Sequence, residues 1–307
     1  MSFKSKLIHI SLKIIRPFTK IIPIKYKRKA HSTLGKILSK PYKFNVYYKK
    51  EYFNNFQAEW IFPLNGINNG VILYLHGGGF IAGNMEYARG YGTVLASNNR
   101  IKVLAISYRL APEFPFPSAL EDAFEAYKYL LSEGFGNEKI ILCGESAGGG
   151  LAFSLCKKLK DENIGLPGGI ITISPWTDLS ITAESYKINK HKDPSMLKSL
   201  LLRYSKLYTN PENIENPLVS SKNINFTNFP RTLIFVGGDE ILLDDSIVIH
   251  DNLIKYNCES ELIIKPKMWH VYLFYNLKEN KSDNEKIYQF ILEVESGTEK
   301  IKVDEAR

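Results

Sequence analysis

Two short glycine-rich stretches carry residue types able to do acyl chemistry. GESAG (144–148) sets Ser146 between Gly144 and Gly148, with the strand-like IILC before it and the helical pattern AGGGLAFSLCKKLK after it. A serine becomes a useful nucleophile when a sharp strand-to-helix turn lifts its Oγ above the sheet, and flanking glycines relieve the crowding of such a turn. HGGGF (76–80) follows the β-rich run VILYL. An acyl-transfer intermediate develops an oxyanion, which fixed backbone donors in a dry site must meet. The N–H groups of Gly78 and Gly79, joined by that of Ala147 just after the nucleophile, are the candidate donors. His76 reads as an anchor of this loop rather than a base. The glycines match neither the G-x-x-x-x-G-K-[ST] nor the G-x-G-x-x-G register of phosphate-binding loops.

A third stretch raises a question of assignment. FVGGDEILLDDS (235–246) packs four carboxylates, Asp239, Glu240, Asp244 and Asp245, into seven positions after a run that reads as a buried strand. Asp244 and Asp245 stand where a helix begins, as ordinary N-terminal capping residues do. Asp239 and Glu240 are left as candidates to orient a base.

These stretches need a scaffold, and the chain supplies one from about residue 45. Strand-like runs at 71–76, 102–108, 139–146, 169–176, 231–238 and 260–267 alternate with helical patterns at 117–131, after 146, at 244–256 and at 284–294. Strands alternating with helices of ten to fifteen residues predict βαβ units and a parallel sheet buried on both faces. YYKKEYF and QAEWIFP precede them as an antiparallel pair, and the polar, Tyr- and Lys-rich stretch 177–230 interrupts the rhythm. The expected organisation is a basic arm or cap over 1–45, then one α/β domain over 46–307 with a helical cap inserted at about 177–230.

HGGGF and GESAG, with YRLAPE (108–113) between them and SPWTDL (174–179) and MWHVYLF (268–274) beyond, resemble the bacterial hormone-sensitive lipase family of α/β-hydrolases. The resemblance runs from about Val71 to Tyr275. It implies the α/β-hydrolase fold, an N-terminal helical cap, and hydrolysis of carboxylic esters of short to medium acyl chain through an acyl-enzyme. The motif-free arm at 1–50 carries none of the family's pattern. Hydrolases of this fold run serine, acid, histidine along the chain. Of the histidines at 9, 31, 76, 191, 250 and 270, only His250 and His270 lie beyond the acidic cluster. His250 falls inside a helix, whereas His270 follows a strand in a loop that can reach Ser146, so His270 is the expected base. The family's acid is followed by any residue, then Leu, with a second acid two positions later. Glu240-Ile241-Leu242-Leu243-Asp244 fits that register, whereas Asp239 puts Ile241 where Leu belongs. Glu240 is therefore preferred over Asp239, although the family's usual acid is Asp. Glu145 is expected to brace the turn or the loop around His76, and Asp178 and Asp193 to fix loops leading into the cap.

Composition narrows the function further. Of 307 residues, 44% are apolar, enough for a sizeable core, and three cysteines without a CxxC pair argue against a disulfide scaffold or zinc site. They fit a reducing, cytoplasmic compartment. No metal site is visible and no cofactor is implied. Residues 1–50 hold fourteen Lys and Arg and no acid, leaving 26 cations against 32 carboxylates, a charge of −6, in the remainder. With its basic residues confined to the arm, the chain is not expected to bind nucleic acid. Apolar residues interleave with the cations in FKSKLIHISLKIIRPFTKIIPI. Such a segment suits peripheral contact with an acidic membrane, here the inner surface, or a lid helix. No apolar run approaches the ~18 residues of a transmembrane helix, and the cations recur too often for a signal-peptide core. Competing functions are an amidase or formamidase on the same three residues and a non-catalytic receptor that keeps the fold.

Overall fold

The computed structural model describes residues 1–66 and 68–297; the last ten residues of the expected 46–307 domain lie outside them. Two helices come first, α1 (Phe3–Ile15) and α2 (Ile24–Ser39), followed by the strands β1 (Val46–Tyr52) and β2 (Gln57–Pro63). Then come β3 (Val71–Leu75), α3 (Met85–Asn99), β4 (Lys102–Ser107), α4 (Ser118–Ser132), β5 (Ile140–Glu145), α5 (Ala147–Asp161) and β6 (Gly169–Ile173). After β6 the stretch 177–230 contributes two helices, α6 (Ser185–Ile188) and α7 (Lys198–Tyr208). The chain then returns to the sheet with β7 (Thr232–Gly237), α8 (Leu243–Lys255), β8 (Ser260–Lys265) and α9 (Lys281–Ser296).

The eight strands form one sheet in the order β1-β2-β4-β3-β5-β6-β7-β8. β2 is antiparallel to both its neighbours, and every other pairing is parallel. Every residue of β3 (VILYL), β5 (IILCGE), β6 (GIITI) and β7 (TLIFVG) is buried. That follows from their composition: β-branched and aliphatic side chains on both faces demand cover on both, which helices supply. One buried cluster holds α4, α5 and α7 residues with alternate strand positions, and the other holds α3, α9 and the remaining positions. No helix among the described residues is long and apolar enough to cross a membrane.

Helix α3 is an element the sequence pattern did not reveal. Its residues Tyr87, Ala88, Gly90, Tyr91, Gly92, Thr93, Leu95 and Ala96 are all buried, so it shows no clear polar face, and two glycines weaken its helical signature. One of those glycines has a packing reason. A Cβ on Gly90 would sit 2.6 Å from the Gly35 Cα of α2, and one on Gly35 would sit 2.1 Å from the Glu86 carbonyl. Helices α2 and α3 therefore cross backbone to backbone. The arm is thereby held against the domain.

Candidate active site

β5 ends at Glu145 and α5 begins at Ala147, which leaves Ser146 alone to make the turn. It does so at φ +53°, ψ −123°, a conformation non-glycine residues hold only where their surroundings enforce it, at a cost of order 1–3 kcal/mol. Besides the bonds of its carbonyl within the start of α5, Ser146 N–H donates to the Ile173 carbonyl (2.9 Å) and Trp176 N–H donates to the Ser146 carbonyl (2.8 Å). The flanking glycines are obligatory. A Cβ on Gly148 would lie 2.0 Å from the Leu75 carbonyl, and one on Gly144 2.3 Å from that of Gly148.

His270 lies beyond β8, with Nε2 3.0 Å from Ser146 Oγ and Nδ1 2.8 Å from Glu240 Oε2. Glu240 is fully buried, and its other oxygen accepts from Ser174 Oγ at 2.8 Å and from the Gly237 N–H. Burial works against the imidazolium of His270, but the hydrogen bond and charge of Glu240 outweigh it, so the histidine pKa lies above its ordinary value. Asp239 is only half-buried; its backbone N–H donates to the Met268 carbonyl and its side chain takes no part in the serine–histidine–carboxylate chain. The sequence preferred Glu240 to Asp239 on the register of the family's acid. The geometry brings Glu240 to the imidazole.

The glycine loop after β3 turns through positive φ at Gly78 (+109°) and Gly79 (+64°). Among the described residues, the hydrogen bonds that fix this region draw on Gly77 N–H but not on those of Gly78, Gly79 or Ala147. Glu145 underpins the loop, accepting from the Gly77 N–H and, at 2.6 Å, from the Tyr74 hydroxyl. Burial pushes its carboxyl up to about 7. His76 is buried and stacked on Tyr108 at 4.2 Å, and its Nδ1 lies 2.7 Å from the Gly77 carbonyl. Burial lowers its pKa to about 4, so it is neutral near pH 7 and Nδ1–H donates to that carbonyl.

The arm and the stretch 177–230 both reach the glycine loop and the residues after it. Tyr204 of α7 lies so close to Gly79 that a Cβ there would meet its ring at 2.4 Å, and Tyr208 stacks on Phe80 at 3.8 Å. From α2, Lys27 Nζ donates to the Tyr204 hydroxyl (2.7 Å), and Arg28 donates to the carbonyls of Ile81 (2.9 Å) and Ala111 (3.0 Å). Burial and the nearby Arg203 lower the Lys27 pKa to about 8. Ser146 and His270 are left 6% and 7% exposed.

Residues 72–274 match the family described as alpha/beta hydrolase fold. The chain is 34% identical over 219 residues to an acetyl-hydrolase of Streptomyces hygroscopicus, spanning 71% of this chain and 73% of that one. Against an esterase of Acinetobacter venetianus the identity is 33% over 207 residues, 67% and 68% of the two chains. The structure is similar, with a TM-score of 0.87 at 31% identity, to the crystal structure of an esterase from the bacterial hormone-sensitive lipase family, covering 95% and 98% of the two chains. This chain belongs to the bacterial hormone-sensitive lipase family of α/β-hydrolases.

In this family member the site draws on Ser174, which sequence reasoning did not single out, and on Asp178 and Asp193, which it expected to fix loops. Ser174 sits at the end of β6 and joins Glu240 to the His270 loop, because its Oγ also accepts the Val271 N–H at 3.0 Å. Its only signal in the sequence was membership of SPWTDL. Asp193 accepts the Ile241 N–H at 2.9 Å together with those of Ser195 and Met196, which ties the acid's own loop to the inserted stretch. Asp178 accepts from Ser180 and Thr182 and pairs with Lys222. Asp244 and Asp245 do stand in the first turn of α8, as expected, but the reading of them as its caps is corrected. Leu242 is the cap residue of α8 and makes no side-chain bond. Asp244 accepts the Ser185 N–H (2.7 Å), and the buried Asp245 accepts from Thr177 N–H and Asp178 N–H (both 2.8 Å) and the Tyr186 hydroxyl (2.7 Å). Both bind the inserted stretch to the domain, a tertiary role that local pattern does not encode.

Proposed function

We propose that the protein is a serine carboxylesterase acting on small-molecule esters of short to medium acyl chain. Ser146 Oγ attacks the ester carbonyl while His270 Nε2 takes its proton, and Glu240 holds the imidazole tautomer and stabilises the imidazolium. The N–H groups of Gly78, Gly79 and Ala147 bind the oxyanion of the tetrahedral intermediate. Collapse of that intermediate expels the alcohol, protonated by His270, and leaves an acyl group on Ser146. A water deprotonated by His270 then hydrolyses the acyl-enzyme. Residues 1–45 and 177–230 act as a two-part cap over the single domain, and the cations of 1–50 bring this cytoplasmic protein to the inner membrane surface.

The observation that carries this reading is the unbroken chain from Ser146 Oγ through His270 to Glu240, at 3.0 and 2.8 Å, beside a glycine loop with undrawn donors. Purified protein should be labelled by a fluorophosphonate probe and should hydrolyse nitrophenyl esters in a series from acetyl to palmitoyl, with the shorter members preferred. Ser146→Ala should abolish labelling and lower kcat by on the order of 10³–10⁶ with folding intact. Retention of more than about a tenth of wild-type kcat by that variant would sink the assignment.

A further inference from the structure

Helix α1 is apolar on two opposite sides, and among the described residues only one of them meets the rest of the protein. On the inner side Ile8 and Leu12 pack against the buried cluster, His9 lies edge-on to Trp269 with centroids 5.9 Å apart, and Ser5 Oγ donates to Glu279 at 3.0 Å. On the outer side stand Phe3, Leu7, Ile10 and Ile14, exposed by 84%, 57%, 55% and 64%. Their i, i+4, i+7, i+11 spacing places them within roughly 60° of arc at ~100° per residue. Ile15, Phe18 and Ile21 extend the exposed apolar surface past the end of the helix. A continuous apolar row on the outside of a folded protein marks an interaction surface.

The charges around the row say what covers it. Lys4, Lys6 and Lys13 are exposed beside it on α1, Lys20 follows, and no acidic residue occurs anywhere in 1–50. Against a second copy of the same arm these cations would repel. Against an anionic bilayer they attract the headgroups while the row enters the acyl boundary, as an interfacial amphipathic helix does. The same arm reaches the loops around the glycine turn. Arg16 at the end of α1 donates to the Met196 carbonyl (2.8 Å) of the inserted stretch, and α2 carries the Lys27 and Arg28 contacts that roof the glycine loop.

We propose that the outer row of α1 seats on an anionic bilayer and that the site takes its esters from that bilayer, so that amphiphilic, membrane-partitioned esters are its substrate class. The substrate half of this inference rests on the esterase reading above.

The experiment compares wild type, Leu7→Asp/Ile14→Asp and Lys6→Gln/Lys13→Gln. Each is sedimented with vesicles of equimolar phosphatidylglycerol and phosphatidylcholine, or of phosphatidylcholine alone. Hydrolysis is followed on soluble nitrophenyl acetate and on dodecyl butyrate embedded in the mixed vesicles. Wild type should prefer the anionic vesicles, with binding weakened as salt rises. Removing two cations should reduce that preference by roughly fivefold per lysine. The double aspartate variant should lose binding by about tenfold or more. It should keep its nitrophenyl acetate rate within about twofold while its vesicle rate falls with binding, which separates lost docking from lost folding. Equal, salt-independent partitioning to both vesicles, no partitioning, or an aspartate variant that binds like wild type overturns the docking. So does a dimer that this variant converts to monomer without vesicle binding. Hydrolysis of nitrophenyl acetate but not of embedded dodecyl butyrate overturns the substrate class. Vesicle binding without hydrolysis of either ester upholds the docking and overturns the esterase reading.

Discussion

Ser174 Oγ lies 2.8 Å from Glu240 Oε1 and accepts the Val271 N–H at 3.0 Å, so a single hydroxyl ties the buried carboxylate to the loop that bears His270. Ser174→Ala leaves that N–H unpaired and Glu240 Oε1 with the Gly237 N–H alone. Losing a buried partner costs ~1–3 kcal/mol, and the loss falls on the alignment of His270 rather than on substrate contact. The expected result is a kcat lower by about tenfold with KM nearly unchanged, measured on one short ester. A rise in KM at constant kcat would point to a role in binding instead.

The two neighbouring acids make opposite predictions. Glu240→Gln keeps the shape but offers an amide that favours the wrong imidazole tautomer, so kcat should fall by on the order of 10²–10⁴. Asp239→Asn should cost far less, because its side chain is outside the bonded chain. If Asp239→Asn is the more crippled enzyme at saturating substrate, the acid is Asp239 and the Glu240 bond to His270 is incidental.

The pH profile reports the same pair. His270 accepts a proton only when neutral, and its pKa is raised by Glu240 against the effect of burial. Activity is therefore lost as pH falls through a value above the ordinary ~6.5 of histidine. In Glu240→Gln the largest raising influence is gone, leaving only the weaker charges of Asp193 and Glu145 against burial, so the acid limb of kcat/KM should move to lower pH. An acid limb that stays in place would mean that another group controls it.

Asp245 offers a test of stability. Burial pushes its carboxyl up to about 7, against the hydrogen bonds from Tyr186 and Thr177. A folded-state pKa above the unfolded ~3.9 contributes stability that is full below ~3.9, declines as pH rises, and is gone once pH passes the folded value. Asn at this position does not titrate, and its oxygen can still accept from Thr177 and Asp178. The Tm advantage of wild type over Asp245→Asn should therefore be larger at pH 5 than at pH 8. Glu145 titrates near 7 as well but is common to both proteins, so it cancels in the difference. A pH-independent difference would show that Asp245 is already ionised at pH 5.

Much of the scaffold was legible because its signals are local. Strands such as VILYL and GIITI advertise burial on both faces, and GESAG announces a turn between a strand and a helix. Ser146 and His270 could be proposed because chain order in this fold restricts the choice, and the structure brings their side chains within 3.0 Å. What stayed hidden was relational. α3 lacks amphipathic contrast because α2 and the sheet bury it from both sides, a circumstance invisible along its own fifteen residues. Ser174, Asp244 and Asp245 act on partners 59 to 97 positions away in the chain, so no pattern near them could distinguish a tether from a cap. The arm's outer row was visible as interleaving, but which of α1's two apolar sides faces outward depends on the fold.

From β3 to β8 the sheet, apart from β4 beyond β3, meets its strands in the order in which they are synthesised. The glycine loop, Ser146, Ser174, Glu240 and His270 follow β3, β5, β6, β7 and β8, one per strand end, so the chemistry is also assembled in chain order. Under the proposed mechanism, a chain cut after β7 would keep Ser146 and the glycine-loop donors. It would lack His270, and with it the proton acceptor proposed for that serine. Hydrolysis by this arrangement therefore depends on the last strand end of the sheet.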